Sequence, residues 1–201
     1  MDIELYHTPQ TRSSRPRWLL EELGTPYRLR SVDLFGGERN PAHPLGSVPA
    51  INIDGETLIE SGAICHWLAD RFLDKGLAPA MDDPRRARYE QWMFFVPATL
   101  EPPAFEILLH TSILPEQHRV GDIVAFAMRG HRRVLRMLAE ELDYDGYLLG
   151  EQFCCADIML GTTLTWLPEQ LDAYPPLLAY TERVTARPAY QRAMAPVNDT
   201  A

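Results

Sequence analysis

The chain has 201 residues, 46% of them hydrophobic, enough for one large domain or two small ones with a sizeable core. Its formal charge of −9 argues against a nucleic-acid ligand, which needs a basic footprint. Met1-Asp2-Ile3-Glu4 forms no apolar signal segment, no later run is long and apolar enough to span a bilayer, and three cysteines cannot all pair within one chain, so a cytoplasmic protein with reduced thiols is expected.

Residues 3–6 alternate as a short strand. The loop His7-Thr8-Pro9-Gln10-Thr11-Arg12-Ser13 leads into a helix around Trp18-Leu19-Leu20-Glu21-Glu22-Leu23, which Gly24 and Pro26 end. Residues 27–33 alternate again, with Tyr27 and Leu29 inward, and residues 34–46, rich in Gly, Pro and polar side chains, read as loop. Val48-Pro49 stands at the entry to an apolar strand, where proline can fix a turn but cannot join a central ladder. Ile51-Asn52-Ile53, Asp54-Gly55 and Leu58-Ile59 read as a hairpin, because Asp-Gly favours a primed turn. A helix over 61–72 with Ser61 as its N-cap closes the order β-α-β, then β-β-α.

Residues 78–84, holding Pro79 and Asp82-Asp83-Pro84, read as a linker between domains at 1–77 and 85–201. Beyond it the strand signals vanish. Residues 85–110 have helical spacing with a bend or break near Pro97 and Pro102-Pro103, and a second long helix covers 120–142. Shorter helices over 157–167, 177–186 and 189–194 complete the half. Arg129, Arg132, Arg133 and Arg136 share a helix face and read as a solvated or subunit-facing stripe. Asn198-Asp199-Thr200 fits a glycosylation sequon, which has no meaning without secretion. Metal binding is not expected, since the histidines show no ligand spacing with Cys65, Cys154 or Cys155.

Two features share a chemistry. A cis bond at Val48-Pro49 would turn the Val48 N–H and C=O outward as an open edge that pairs with an extended peptide. The helix start behind Ser61 offers N–H groups to a carboxylate. Together they suit a small peptide with a free α-carboxylate, and glutathione is the candidate.

Ser47-Val48-Pro49-Ala50-Ile51, with Glu60-Ser61 eleven residues after Pro49, resembles the cytosolic glutathione transferases, and the resemblance covers nearly the whole chain. Trp18-Leu19-Leu20-Glu21-Glu22-Leu23-Gly24 and Gln91-Trp92-Met93-Phe94-Phe95 are similar to bacterial and fungal members, and Phe153-Cys154-Cys155-Ala156-Asp157-Ile158 resembles the family's buried capping motif. The resemblance implies an α/β thioredoxin-like N-terminal domain plus an all-α C-terminal domain, a detoxifying transferase activity and a homodimer. At Cys154 the family usually has Ser or Thr. Cysteine is a poorer cap, costing up to about 1 kcal/mol.

The expected chemistry is activation of the glutathione thiol. One hydroxyl donor and the start of the first helix could hold the thiolate. By the resemblance, Thr11 matches the catalytic serine of serine-type members, Ser13 and Ser14 lie within one turn of it, and Tyr6 stands where tyrosine-type members carry their phenol. No cysteine occurs in this loop, which counts against thiol–disulfide or deglutathionylating chemistry, where an attacking cysteine would be expected. Val48, beside Pro49, would pair with the cysteinyl unit, Ser61 would take the γ-glutamyl carboxylate and Glu60 its ammonium group. The glycine carboxylate often meets a basic residue where this chain has Ser47; Arg39 or His43 could substitute. Phe94, Phe95, Phe105 and Trp166 are candidates for an apolar wall around a small electrophile. The same site would serve glutathione-dependent peroxidase, isomerase or dehalogenase work, and a non-catalytic scaffold that binds apolar ligands or protein is the remaining alternative.

Overall fold

Strand β1 (Ile3–His7) buries Ile3, Leu5 and His7 on one face and leaves Glu4 and Tyr6 half-exposed on the other. This period-two burial makes it a central strand with one covered face. The computed structural model describes residues 1–142 and 145–196; the sequon at Asn198 lies outside them. In a four-stranded sheet ordered β2-β1-β3-β4, β1 is parallel to β2 (Arg28–Ser31) and antiparallel to β3 (Ala50–Ile53). Strand β4 (Glu56–Ile59) is antiparallel to β3. Asp54 and Gly55 both have positive φ, 51° and 94°, which is the primed turn that Asp-Gly favours.

Helix α1 (Ser14–Leu23) buries Trp18, Leu19, Leu20 and Leu23 and stops at Gly24, whose φ of 64° suits a residue without Cβ. Helix α2 (Ser61–Arg71) buries Ile64, Cys65, Leu68 and Ala69. Helix α8 (Pro188–Met194) joins this unit, which comprises Met1–Ala80 and the described residues from Ala186 onward. It packs on α1: Tyr190 meets Trp18 edge-on at 4.9 Å, Arg187 clasps Glu22 at 2.6 and 2.9 Å, and Arg192 reaches Glu21 at 2.8 Å. The sequence reading runs the helical domain to residue 201. These partners lie far from α8 in the sequence, so periodicity does not reveal them.

The second unit, Met81–Thr185, is helical. Helix α3 (Arg86–Phe95) continues into α4 (Glu101–Leu108) through a wide turn at Val96–Leu100. Pro97, Pro102 and Pro103 bring no N–H, and the wide turn lets the Glu101 N–H reach Val96 O. The prolines widen the helix rather than end it. Helix α5 (Gly121–Glu141) is the long one, and α7 (Pro175–Thr185) packs beside α6 (Cys155–Leu164). Every residue of α6 is buried. A capping box between Cys154 and Asp157 opens it: Asp157 accepts the Cys154 N–H at 2.8 Å, the Leu148 N–H at 2.9 Å and the Tyr180 hydroxyl at 2.7 Å. Among the described residues no helix is long and apolar enough to cross a membrane.

Candidate functional site

The sheet register gathers the sequence features at one end. Tyr6 pairs with Ala50, and Ala50 with Ile59. The loop after β1, the Val48-Pro49 entry to β3 and the Glu60-Ser61 exit from β4 therefore leave the same edge of the sheet. Arg15, near the start of α1, ties in the second helix by donating from Nη1 to Ser61 Oγ at 3.1 Å.

The Val48-Pro49 bond is cis. Among the described residues no backbone hydrogen bond of the sheet or loops uses the Val48 N–H or C=O. Asn40, which is buried, shapes the loop ahead of it. Its Nδ2 donates to Ser47 O at 2.8 Å, its Oδ1 accepts the Ala42 N–H at 3.0 Å, and its N–H reaches Gly46 O at 3.0 Å. Gly46 has a φ of +70°, and a Cβ there would lie 2.8 Å from Arg39 Nε, so the exposed Arg39 guanidinium lies across this glycine, one residue from the exposed Ser47. His43 accepts the Leu45 N–H on Nδ1 at 3.0 Å. Sequence reasoning missed Asn40; the turn-forming dipeptide Asn40-Pro41 was the available signal.

Glu60 has φ 69° and ψ 113°, a region that costs a non-glycine residue about 1–3 kcal/mol. It is the N-cap of α2, with its carbonyl accepting the Ile64 N–H at 2.9 Å and its side chain exposed. This corrects the expected cap: Ser61 is the first helical residue, and its buried hydroxyl serves Arg15. The preference of serine for caps yields here to the need of a buried guanidinium for an acceptor.

The hydroxyl candidates divide by environment. Thr11 is half-buried, with Oγ1 2.7 Å from Thr8 O and 2.8 Å from Ser13 Oγ, and it accepts the Ser13 N–H at 3.2 Å. Ser13 is fully buried; its Oγ accepts the Thr8 N–H at 3.1 Å and lies 3.0 Å from Thr8 O and 2.8 Å from His7 Nδ1. Ser14 opens α1, and its N–H donates to Thr11 O at 3.1 Å. Tyr6 donates to Glu4 at 3.2 Å, and burial, reinforced by that carboxylate, raises its phenol above the ordinary value. Behind the loop, His7 is buried and its Nε2 sits 3.4 Å from Arg17 Nη1. Burial, with the Arg17 charge second, lowers the imidazole to about 4. Sequence reading passed over His7 and Arg17, because their roles depend on each other across a turn.

The four aromatic residues all lie in the second unit. Phe94 is 68% exposed, Phe95 stands edge-on to Trp92 at 5.2 Å, and Phe105 is half-buried. Trp166 packs on the cluster of Ala104, Ile107, Ala127 and Leu167. All three cysteines are buried. No group of His, Cys, Asp and Glu among the described residues could hold a metal ion.

Comparison with known proteins shows the family. Residues 5–76 match the family described as "Glutathione S-transferase, N-terminal domain", and residues 101–188 match "Glutathione S-transferase, C-terminal domain". The chain is 33% identical to glutathione S-transferase 3 of Schizosaccharomyces pombe over 173 residues, covering 77% of this chain and 70% of that protein. It is 29% identical to the disulfide-bond oxidoreductase YfcG of Escherichia coli over 216 residues, 96% of this chain and 94% of the other. It also superimposes on a sphingomonad glutathione S-transferase complexed with glutathione, with a TM-score of 0.83 at 30% identity over 95% of this chain and 96% of that one.

Proposed function

Because this chain belongs to the glutathione S-transferase family, we propose that it activates the thiol of glutathione beside Thr11 and directs it at an apolar electrophile. The observation that carries this reading is the shared sheet end, where the Thr11 loop, the cis Val48-Pro49 entry and the strained Glu60 stand together. In it, Val48 exchanges main-chain hydrogen bonds with the cysteinyl unit, leaving the sulfur over the start of α1. The α2 N-terminus and Ser61 take the γ-glutamyl carboxylate, and the exposed Glu60 takes the ammonium group. Arg39, held across Gly46, supplies the cation for the glycine carboxylate in place of Ser47.

A free alkyl thiol titrates near 8.5, and a shift of about two units requires roughly 2.7 kcal/mol of preferential thiolate stabilisation. One charge-assisted hydrogen bond and the α1 dipole are of that order together. Thr11 suits the donor's role because it is half-buried and reachable, whereas Ser13 is closed in and Tyr6 is committed to Glu4. The sulfur then forms a bond to carbon while a leaving group departs with its electron pair, or it adds to an activated double bond whose carbanion takes a proton.

The test is a pH titration of glutathione thiolate absorbance with and without the protein. A thiol well below its free value supports the reading, and an unshifted or unbound thiol replaces it with the scaffold. A cytoplasmic homodimer is the assembly that family membership supports, and light scattering of the purified chain tests it.

The kinship with a disulfide-bond oxidoreductase favours a second reading at the same site. The activated glutathione sulfur would attack a substrate disulfide, forming a mixed disulfide and releasing a thiolate. With every cysteine buried, glutathione itself would be the attacking thiol. Release of thiol from a model disulfide, measured beside conjugation of an aryl halide, separates the two.

A further inference from the structure

We propose that His7, held by Arg17, is a positioning residue that fixes the direction of a hydroxyl chain through Ser13 to Thr11, so that the Thr11 proton faces the glutathione sulfur. The inference rests on the glutathione reading above.

The direction follows from counting donors. A guanidinium has donors and no acceptor, so His7 Nε2, 3.4 Å from Arg17 Nη1, presents a lone pair. A neutral imidazole then carries its proton on Nδ1, 2.8 Å from Ser13 Oγ. Burial among these groups keeps the ring neutral, lowering it to about 4. Arg17 is itself placed by the Arg192 carbonyl of α8 at 3.4 Å.

Ser13 Oγ thus accepts from His7 and from the Thr8 N–H at 3.1 Å, which fills both its lone pairs. Its own proton goes to Thr11 Oγ1 at 2.8 Å or to Thr8 O at 3.0 Å. Either way Thr11 can no longer donate to Ser13. The Thr11 proton is left with the Thr8 carbonyl at 2.7 Å or an arriving sulfur, and an anionic acceptor wins over a neutral one. Donation from Ser13 also polarises the Thr11 hydroxyl. Without His7, Ser13 regains a lone pair and Thr11 can turn its proton inward.

Two measurements test this. Long-range nitrogen–proton correlation of the imidazole should show the Nδ1–H form of His7, and an Nε2–H form overturns the proposal whatever the substrate is. The bound-glutathione titration is then repeated on His7→Leu, His7→Asn and Ser13→Ala. His7→Leu should raise the bound thiol pKa by roughly one unit, and His7→Asn, whose amide N–H replaces the Nδ1 donor, should restore it. Ser13→Ala, which removes the inward acceptor and loses only the polarisation, should raise it less than His7→Leu does. A depressed wild-type value left unchanged by His7→Leu, or raised as far by Ser13→Ala as by His7→Leu, overturns the hydroxyl chain alone. A wild-type protein that leaves the thiol at its free value overturns the glutathione reading as well. If His7→Leu does not fold, the imidazole tautomer of the wild-type protein, which needs no variant, carries the decision.

Discussion

Arg15 and Ser61, 46 residues apart, share a hydrogen bond of 3.1 Å in the interior, where the arginine is 1% exposed. The bond fastens the start of α1 to the start of α2, the two helix ends that converge on the candidate site. A guanidinium so deeply buried cannot be replaced cheaply, and Ser61 serves both the fold and, by the reading above, the γ-glutamyl carboxylate.

Ser61→Ala should therefore act twice. Removing an acceptor from a buried cation should cost about 1–3 kcal/mol in urea unfolding. Glutathione affinity by calorimetry should fall roughly tenfold, corresponding to one lost charge-assisted hydrogen bond. Loss of stability with unchanged affinity would confine Ser61 to the fold.

Thr11→Ala should raise the bound thiol pKa and lower kcat by about 10- to 100-fold, with glutathione affinity largely kept. Thr11→Ser keeps the hydroxyl and should retain most of the rate. Full turnover by the alanine variant would remove Thr11 from the chemistry.

At Cys154 the expectation concerns stability alone. The sulfur occupies a hydroxyl's place in the capping box, and burial, with Asp157 next, pushes the thiol well up. Cys154→Ser should add about 0.5–1 kcal/mol through a better cap, or a few degrees in melting temperature. A lower melting point would mean that buried sulfur packing outweighs the cap.

Two buried histidines should make the fold sensitive to acid. Burial is the main cause that lowers both His7 and His131 to about 4, against 6.5 for an ordinary histidine. Between pH 6.5 and 4 the unfolded chain holds more protons than the folded one, so stability rises with pH there. Each contribution is complete above 6.5 and lost towards 4, up to about 3 kcal/mol apiece. Asp157 works in the opposite direction, since burial raises its carboxyl. Urea midpoints should fall from pH 7 to pH 4, and a flat profile would show that the histidines are hydrated in the native state.

Much of this protein is written locally. Asp54-Gly55 specifies its turn because both residues tolerate positive φ, and Gly24 ends α1 for the same reason. The change from alternating to helical spacing past the linker separates a sheet-bearing unit from a helical one. Val48-Pro49 and Glu60-Ser61 mark the candidate site because prolines and helix starts announce themselves in a few residues. The prolines after α3 mislead in one respect, since a wider turn absorbs their missing donors.

The set of elements, and the segments that meet at the candidate site, are thus legible along the chain. The tertiary structure decided which polar groups satisfy one another. Arg15 draws Ser61 away from a cap, Asn40 braces the loop before Val48, Arg17 orients His7, and α8 returns to α1 through Arg187 and Glu22. The physical reason is burial. A charged or polar side chain shut away from water must find a partner in space, and periodicity along the chain does not say where that partner stands.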